Sequence, residues 1–134
     1  MARRKIDLHQ GRAAVDELFS HADYASLPRA VQATAIRFSL EELADRAPGK
    51  TVEVRVPPFG VTQCIDGPEH TRGTPPNVIE TNPETWMELI TGEIDWDQAV
   101  ASGRLQASGS RADLTDWLPL FHPPRTAPPS EDRT

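Results

Sequence analysis

The chain has 134 residues and a mass of 14.8 kDa, a typical length for a single domain. The net charge of −6 and the pI near 5.1 argue against a nucleic-acid-binding protein, because such a protein needs a basic surface for phosphates. The single cysteine, Cys64, excludes an internal disulfide and a cysteine-rich zinc site. With one cysteine, no secretory signal and no apolar run of membrane-spanning length, we expect a cytoplasmic protein without stable membrane insertion.

The N-terminal third predicts two helices. Residues 1–11 are polar and basic, and we expect a flexible arm there. A short helical pattern follows over residues 12–21. The next helix is predicted over residues 28–47, because apolar side chains recur at helical spacing and Pro28 suits a first helical position. Pro48 and Gly49 end it.

The middle of the chain predicts strands. Residues 51–56 alternate between valines and polar side chains, which is typical of a half-buried strand. Residues 61–65 form a second predicted strand and residues 78–81 a third. A polar loop over residues 66–76 separates the second from the third.

The C-terminal part predicts short, well-delimited elements. Asn82 and Pro83 are a capping residue and a first helical residue. Asp95 begins another helix, with Gln98 at capping-box spacing. Residues 104–108 alternate as a strand, and residues 112–118 are a short helix or turn.

These elements predict an α+β domain over residues 12–121. We expect a mainly antiparallel sheet of about four to five strands, covered by helices on one face. Residues 122–134 contain four prolines and are expected to be a disordered tail.

An ordered string of motifs occupies residues 85–110: TWMELITG at 85–92, DWDQA at 95–99 and ASGRLQASGS at 101–110. This string resembles the sterol carrier protein-2 superfamily, which has a strand, two short helices released by glycines, and a final strand. The resemblance extends back over residues 34–63. There the chain is similar to bacterial sterol-carrier-like proteins and to the C-terminal domain of mycothiol-dependent maleylpyruvate isomerases.

The resemblance covers residues from about 30 to 120. It implies a non-enzymatic protein that binds or transfers a lipid, a sterol or another hydrophobic small molecule. The ligand would lie in an apolar cavity between sheet and helices. The candidate ligand-binding residues are Phe38, Phe59, Trp86, Ile90, Leu105, Trp117 and Leu118.

Core packing is the competing interpretation for each tryptophan, because indole rings bury large areas wherever they lie. Phe59 follows two prolines at a bend between strands, and it would either gate the cavity or plug the turn. His70 and Arg72 are candidates for a polar contact with a ligand head group. A solvated loop is the alternative for those two.

Catalytic and metal sites are not indicated. The four histidines are not spaced as a helical metal pair, so we expect no metal and no cofactor. Cys64 falls in a strand pattern and is predicted to be buried and inert. Two alternatives to a carrier stay open. One is an accessory domain related to thiol-dependent isomerases, and the other is a protein-interaction domain without a small ligand. A homodimer is possible.

Overall fold

The computed structural model describes residues 5–21, 23–67 and 77–124. His70 and Arg72 lie outside these ranges, as does most of the predicted tail, so the predictions made for them stay predictions. Within the described ranges, no helix combines the length and apolar character needed to cross a bilayer.

Two helices form the N-terminal part: α1 at Leu8–Ser20 and α2 at Arg29–Arg46. A single turn of 3₁₀ helix, Tyr24–Ser26, lies between them. The start of α1 corrects the sequence prediction, because residues 8–11 belong to the helix and not to a flexible arm. The Asp7 side chain accepts a hydrogen bond from the Gln10 N–H and caps the helix there.

In the described part of the chain the sheet has four strands: β1 at Val52–Val56, β2 at Gly60–Cys64, β3 at Val78–Thr81 and β4 at Leu105–Ser108. Their spatial order is β2-β1-β3-β4. The pairs β1–β2 and β3–β4 are antiparallel, whereas β1 and β3 run parallel. The predicted α+β fold with a mainly antiparallel sheet is confirmed.

Two short helices connect β3 to β4: α3 at Pro83–Thr91 and α4 at Trp96–Ala101. Both caps are as predicted. Asn82 accepts from the Thr85 N–H, and Asp95 forms a reciprocal capping box with Gln98. Gly92 ends α3 with φ at 84°, a left-handed conformation that glycine adopts without strain.

Between the end of β4 and residue 124, where the described part of the chain ends, the chain runs through turns without forming another helix. We call residues 112–121 the C-terminal segment. Its apolar side chains pack onto the same core as the helices; they are Ala112, Leu114, Trp117, Leu118, Leu120 and Phe121.

The two faces of the sheet differ in chemistry. The side chains of Val54 and Ile79 face the helices and are buried. The opposite face carries Glu53, Arg55 and Glu80, with Arg55 paired to both carboxylates. The helices and the C-terminal segment therefore enclose one core with the apolar face of the sheet.

Candidate functional site

Three of the predicted ligand-binding residues, Phe38, Trp86 and Ile90, lie deep in the core. None is more than 1% exposed. The indole N–H of Trp86 donates a hydrogen bond of 2.8 Å to the hydroxyl of Ser39 on α2. The polar atom of this buried ring is thus satisfied, and the side chain joins α3 to α2.

Phe38 lies face to face with Phe121, a residue that the sequence did not single out. The ring centroids are 5.9 Å apart and the ring planes are inclined by 13°. The guanidinium of Arg46 lies 5.9 Å from the Phe121 ring centroid. Phe121 precedes the proline-rich tail, so its sequence position gives no periodic signal for burial.

Phe59 lies in the turn between β1 and β2 beneath two arginines of α2. The guanidinium carbons of Arg29 and Arg37 lie 4.9 and 6.0 Å from its ring centroid. Arg37 also donates from Nε to the Phe59 carbonyl oxygen at 2.8 Å. The side chain is buried and held at both ring and backbone, an arrangement that fits a plug under the turn.

Trp117 and Leu118 are half-buried, and Leu105 is buried at the start of β4. Leu118 lines a surface depression of about 330 Å³ between the C-terminal segment and the α3–α4 connection. Its lining mixes apolar and polar side chains from Gly92, Ile94, Asp95, Trp96, Asp97, Thr115, Leu118 and Pro119. Leu105 lines a different depression, beside the start of β4, so Leu105 and Leu118 border separate spaces on the described surface.

Burial and side-chain contacts set the state of the ionisable groups near the core. Burial raises the pKa of the Cys64 thiol to about 12, so it stays protonated at neutral pH. Burial also raises the pKa of Tyr24, whose hydroxyl bonds to Thr91 and Glu93. Glu88 on α3 pairs with Arg104 before β4.

Within residues 5–21, 23–67 and 77–124, no group of three or more histidine, cysteine, aspartate or glutamate side chains is placed to hold a metal ion. The described core offers apolar surface and a thiol that burial keeps protonated.

A family model described as a bacterial SCP ortholog matches residues 28–120. The match includes more than two thirds of the chain. It begins at Pro28, directly before α2, and ends at Leu120, one residue before the end of the C-terminal segment. Comparison with curated proteins gave no match.

Proposed function

The chain belongs to the bacterial SCP ortholog family, and on that premise we propose that it binds and carries a lipid, a sterol or another hydrophobic small molecule. The family match is the observation that carries this proposal. It spans all seven candidate ligand-binding residues, from Phe38 to Leu118.

The fold supports the proposal through the chemistry of its interior. A sheet with one apolar face, covered by short helices, is a setting in which a hydrophobic molecule loses its contact with water. Trp86 and Ile90 add large apolar side chains of α3 to the core that this face helps to form. The depression beside Leu118, at about 330 Å³, lies at the lower end of small-molecule pocket volumes.

A carrier without catalysis accords with the state of the ionisable groups. A cysteine nucleophile reacts as its thiolate, and the pKa of Cys64 is raised by burial to about 12. The Tyr24 hydroxyl is engaged with Thr91 and Glu93 and, because its pKa is raised, stays protonated. We therefore propose a binding protein and not an enzyme.

Solvent extraction and titration test the proposal. The purified protein is denatured, extracted and analysed by mass spectrometry for lipid, and then titrated with fluorescent fatty acid and sterol analogues. We expect co-purified lipid or saturable binding at micromolar probe concentrations. The control is Val61→Gln, because Val61 is 59% exposed and lies on the face of the sheet away from the core.

The control variant should bind as the wild type does. Loss of binding in Val61→Gln would show that the probe adsorbs to the outer surface. A protein that yields no lipid and binds neither analogue would overturn the carrier proposal.

A protein-interaction domain is the second candidate, and one observation favours it. Phe38, Trp86 and Ile90 pack in the core as structural residues do. Sedimentation analysis separates the two functions. A stable symmetric dimer that binds no probe would support interaction, whereas a monomer that binds the probe saturably would support the carrier.

A further inference from the structure

We infer that the free edge of β2 is a docking site for an acidic peptide segment, which adds to the sheet as an antiparallel strand. The inference goes beyond the proposed function and is independent of lipid binding. The site shares no lining residue with the depression beside Leu118. Its support comes from the backbone groups at the edge of β2, from a groove beside them and from two cations at that groove.

The backbone groups at the edge of β2 point away from the sheet. On β1, the Glu53 N–H donates to the Asn77 carbonyl at 2.9 Å, next to β3. Backbone groups alternate in direction along a strand, so the neighbour of Glu53 that pairs with Thr62 directs its groups to β2. By the same alternation, the N–H and C=O groups of Val61 and Gln63 point to the outer edge of β2. No other strand of the described residues covers this edge, so these groups are available to an added strand.

A groove of about 380 Å³ lies beside this edge, between β2 and α2. We call it the β2 groove. Residues 60–62 line it from the strand, and Ile6 and Leu40 contribute apolar side chains. A Cβ atom at Gly60 would lie 3.1 Å from the Leu40 Cδ1 atom, so a larger residue at position 60 would crowd this space. The groove therefore offers room for an apolar side chain of an added strand.

Lys5 and Arg37 border the β2 groove as cations. Neither lies within salt-bridge distance of a carboxylate in the described part of the chain. Arg37 donates from Nε to the Phe59 carbonyl oxygen at 2.8 Å, which holds the guanidinium in place. The N–H groups of its two terminal nitrogens stay available. A guanidinium held in this way can pair with the carboxylate of a partner.

Glu41 also borders the groove, but its carboxylate is already engaged. Its two oxygens accept hydrogen bonds from the backbone N–H groups of Lys5 at 3.1 Å and Ile6 at 3.3 Å. These bonds hold residues 5 and 6 beside α2. Two cations and one carboxylate leave the groove with a net charge of +1, whereas the whole chain carries −6. Charge complementarity therefore favours an acidic partner at this place.

The edge of β4 lacks this combination among the described residues. The depression near β4 is lined by both β3 and β4, with Thr81 on one strand and Gln106 on the other. It therefore lies over the strand pair and not beside an outer edge. For this reason the docking site is assigned to β2.

An acidic segment fits the edge better than a second copy of the chain. Antiparallel pairing of β2 with the β2 of another copy would bring two positively charged grooves together. Like charges that meet across an interface weaken association. The sequence of β2, GVTQC, contains no acidic residue that could pair with Lys5 or Arg37 of the other copy.

The geometry of the edge predicts the sequence pattern of the segment. In an added antiparallel strand, the residues opposite Val61 and Gln63 exchange backbone hydrogen bonds with them. The residue between these two faces the helices and enters the β2 groove. Residues two positions before and after it lie on the same face of the strand. An apolar residue with glutamate at both of those positions therefore suits the groove and its two cations.

Fluorescence polarisation of a labelled peptide tests the inference. The probe is the capped heptapeptide Thr-Glu-Thr-Val-Thr-Glu-Thr, and the comparison peptide has lysine in place of both glutamates. We expect saturable binding of the glutamate peptide, with the lysine peptide binding roughly tenfold more weakly or less. Absence of saturable binding of the glutamate peptide, or equal binding of both peptides, would overturn the inference and leave the carrier function untouched.

Lys5→Gln and Lys50→Gln are a matched pair of variants. Both remove an exposed lysine charge, but only Lys5 borders the β2 groove. Lys5→Gln should weaken binding of the glutamate peptide by roughly threefold or more, and Lys50→Gln should leave it unchanged. An equal loss in both variants would contradict docking at the groove, because it would reduce the interaction to the net charge of the protein.

Amide hydrogen exchange locates the bound peptide. The N–H groups of Val61 and Gln63 should exchange rapidly in the free protein and several-fold more slowly with saturating glutamate peptide. N-methylation of the two threonines that flank the valine should abolish this protection, because it removes hydrogen bonds to β2. Protection of Val61 and Gln63 in the free protein, together with sedimentation as a dimer, would show that a second copy occupies the edge and would overturn the inference.

Discussion

Trp86 is surrounded by partners that come from distant parts of the sequence. The Ser39 hydroxyl accepts the indole N–H at 2.8 Å and donates to the Ile36 carbonyl at 2.6 Å. The apolar spacing of α3 was sufficient to predict that Trp86 faces the interior. It was not sufficient to identify Ser39, because a serine in a helix usually indicates a solvent-facing position. Their pairing depends on how α2 and α3 pack.

The Cys64 thiol is predicted to react slowly in the folded protein. Because burial raises its pKa to about 12, very little thiolate is present at pH 8 and labelling by a thiol reagent should be slow. Protein unfolded in guanidinium chloride should react at once and serves as the control. Complete labelling of the native protein within minutes would contradict the predicted burial.

The same pKa shift has a consequence for stability. The thiol pKa is about 9.0 as a reference value and about 12 when folded, so the folded state favours the protonated form. The contribution of this thiol to the free energy of unfolding is therefore fully present below pH 9, and it is lost as the pH rises towards 12.

Helix α1 begins at Leu8, four residues before its predicted start at residue 12, and its packing explains the difference. The polar and basic character of residues 1–11 suggested a flexible arm. In the structure, Gly11 is helical and buried, because the ring of Phe38 occupies the space that a side chain would take. Asp7 is the true cap. A glycine selected by a neighbouring helix is indistinguishable in sequence from one that interrupts a helix.

Gly11→Ala tests this explanation. Alanine has the better helix propensity, by about 1 kcal/mol. The clash with Phe38 should nevertheless destabilise the protein by roughly 1–3 kcal/mol, as overpacking does. Urea unfolding measures the difference. Gln10→Ala, at an exposed neighbouring position of α1, is the control and should change little. A more stable Gly11→Ala protein would contradict the close helix contact.

The C-terminal segment was harder to predict from the sequence than the helices were. Its sequence allowed a short helix or a turn, and the structure has turns. Burial of Leu114 and Leu120 depends on α3 and the core, which local spacing does not report. The residues that end the fold are therefore the ones whose contacts were hardest to predict, and Phe121 was missed altogether.

The whole molecule has one core shared by all its layers. Alternation predicted β1 and β4 closely, and the combination of helices and strands predicted the α+β class. The parallel pairing of β1 with β3 was not predicted. Alternation shows which side chains face the core but not which strands are neighbours, since either pairing buries the same valines. The ligand site between sheet and helices stays a prediction, which the ligand-binding experiment tests.

A shared core predicts cooperative unfolding. The buried residues of α1, α2, α3, the sheet and the C-terminal segment form one cluster. Urea unfolding followed by tryptophan fluorescence and by far-ultraviolet circular dichroism should give the same midpoint, as expected of a small two-state domain. The two signals of the folded protein in buffer without urea serve as the baselines. Separate midpoints would show that a part of the chain unfolds independently.

The open sheet has a consequence for the colloidal behaviour of the protein. In the order β2-β1-β3-β4, the strands β2 and β4 each present one edge that no other strand of the described residues covers. Such edges favour strand addition between copies, and β2 also exposes Val61. At neutral pH, the net charge of −6 keeps copies apart by mutual repulsion. This repulsion vanishes near the pI of about 5.1, so mild acid is the condition in which the edges are least protected from self-association.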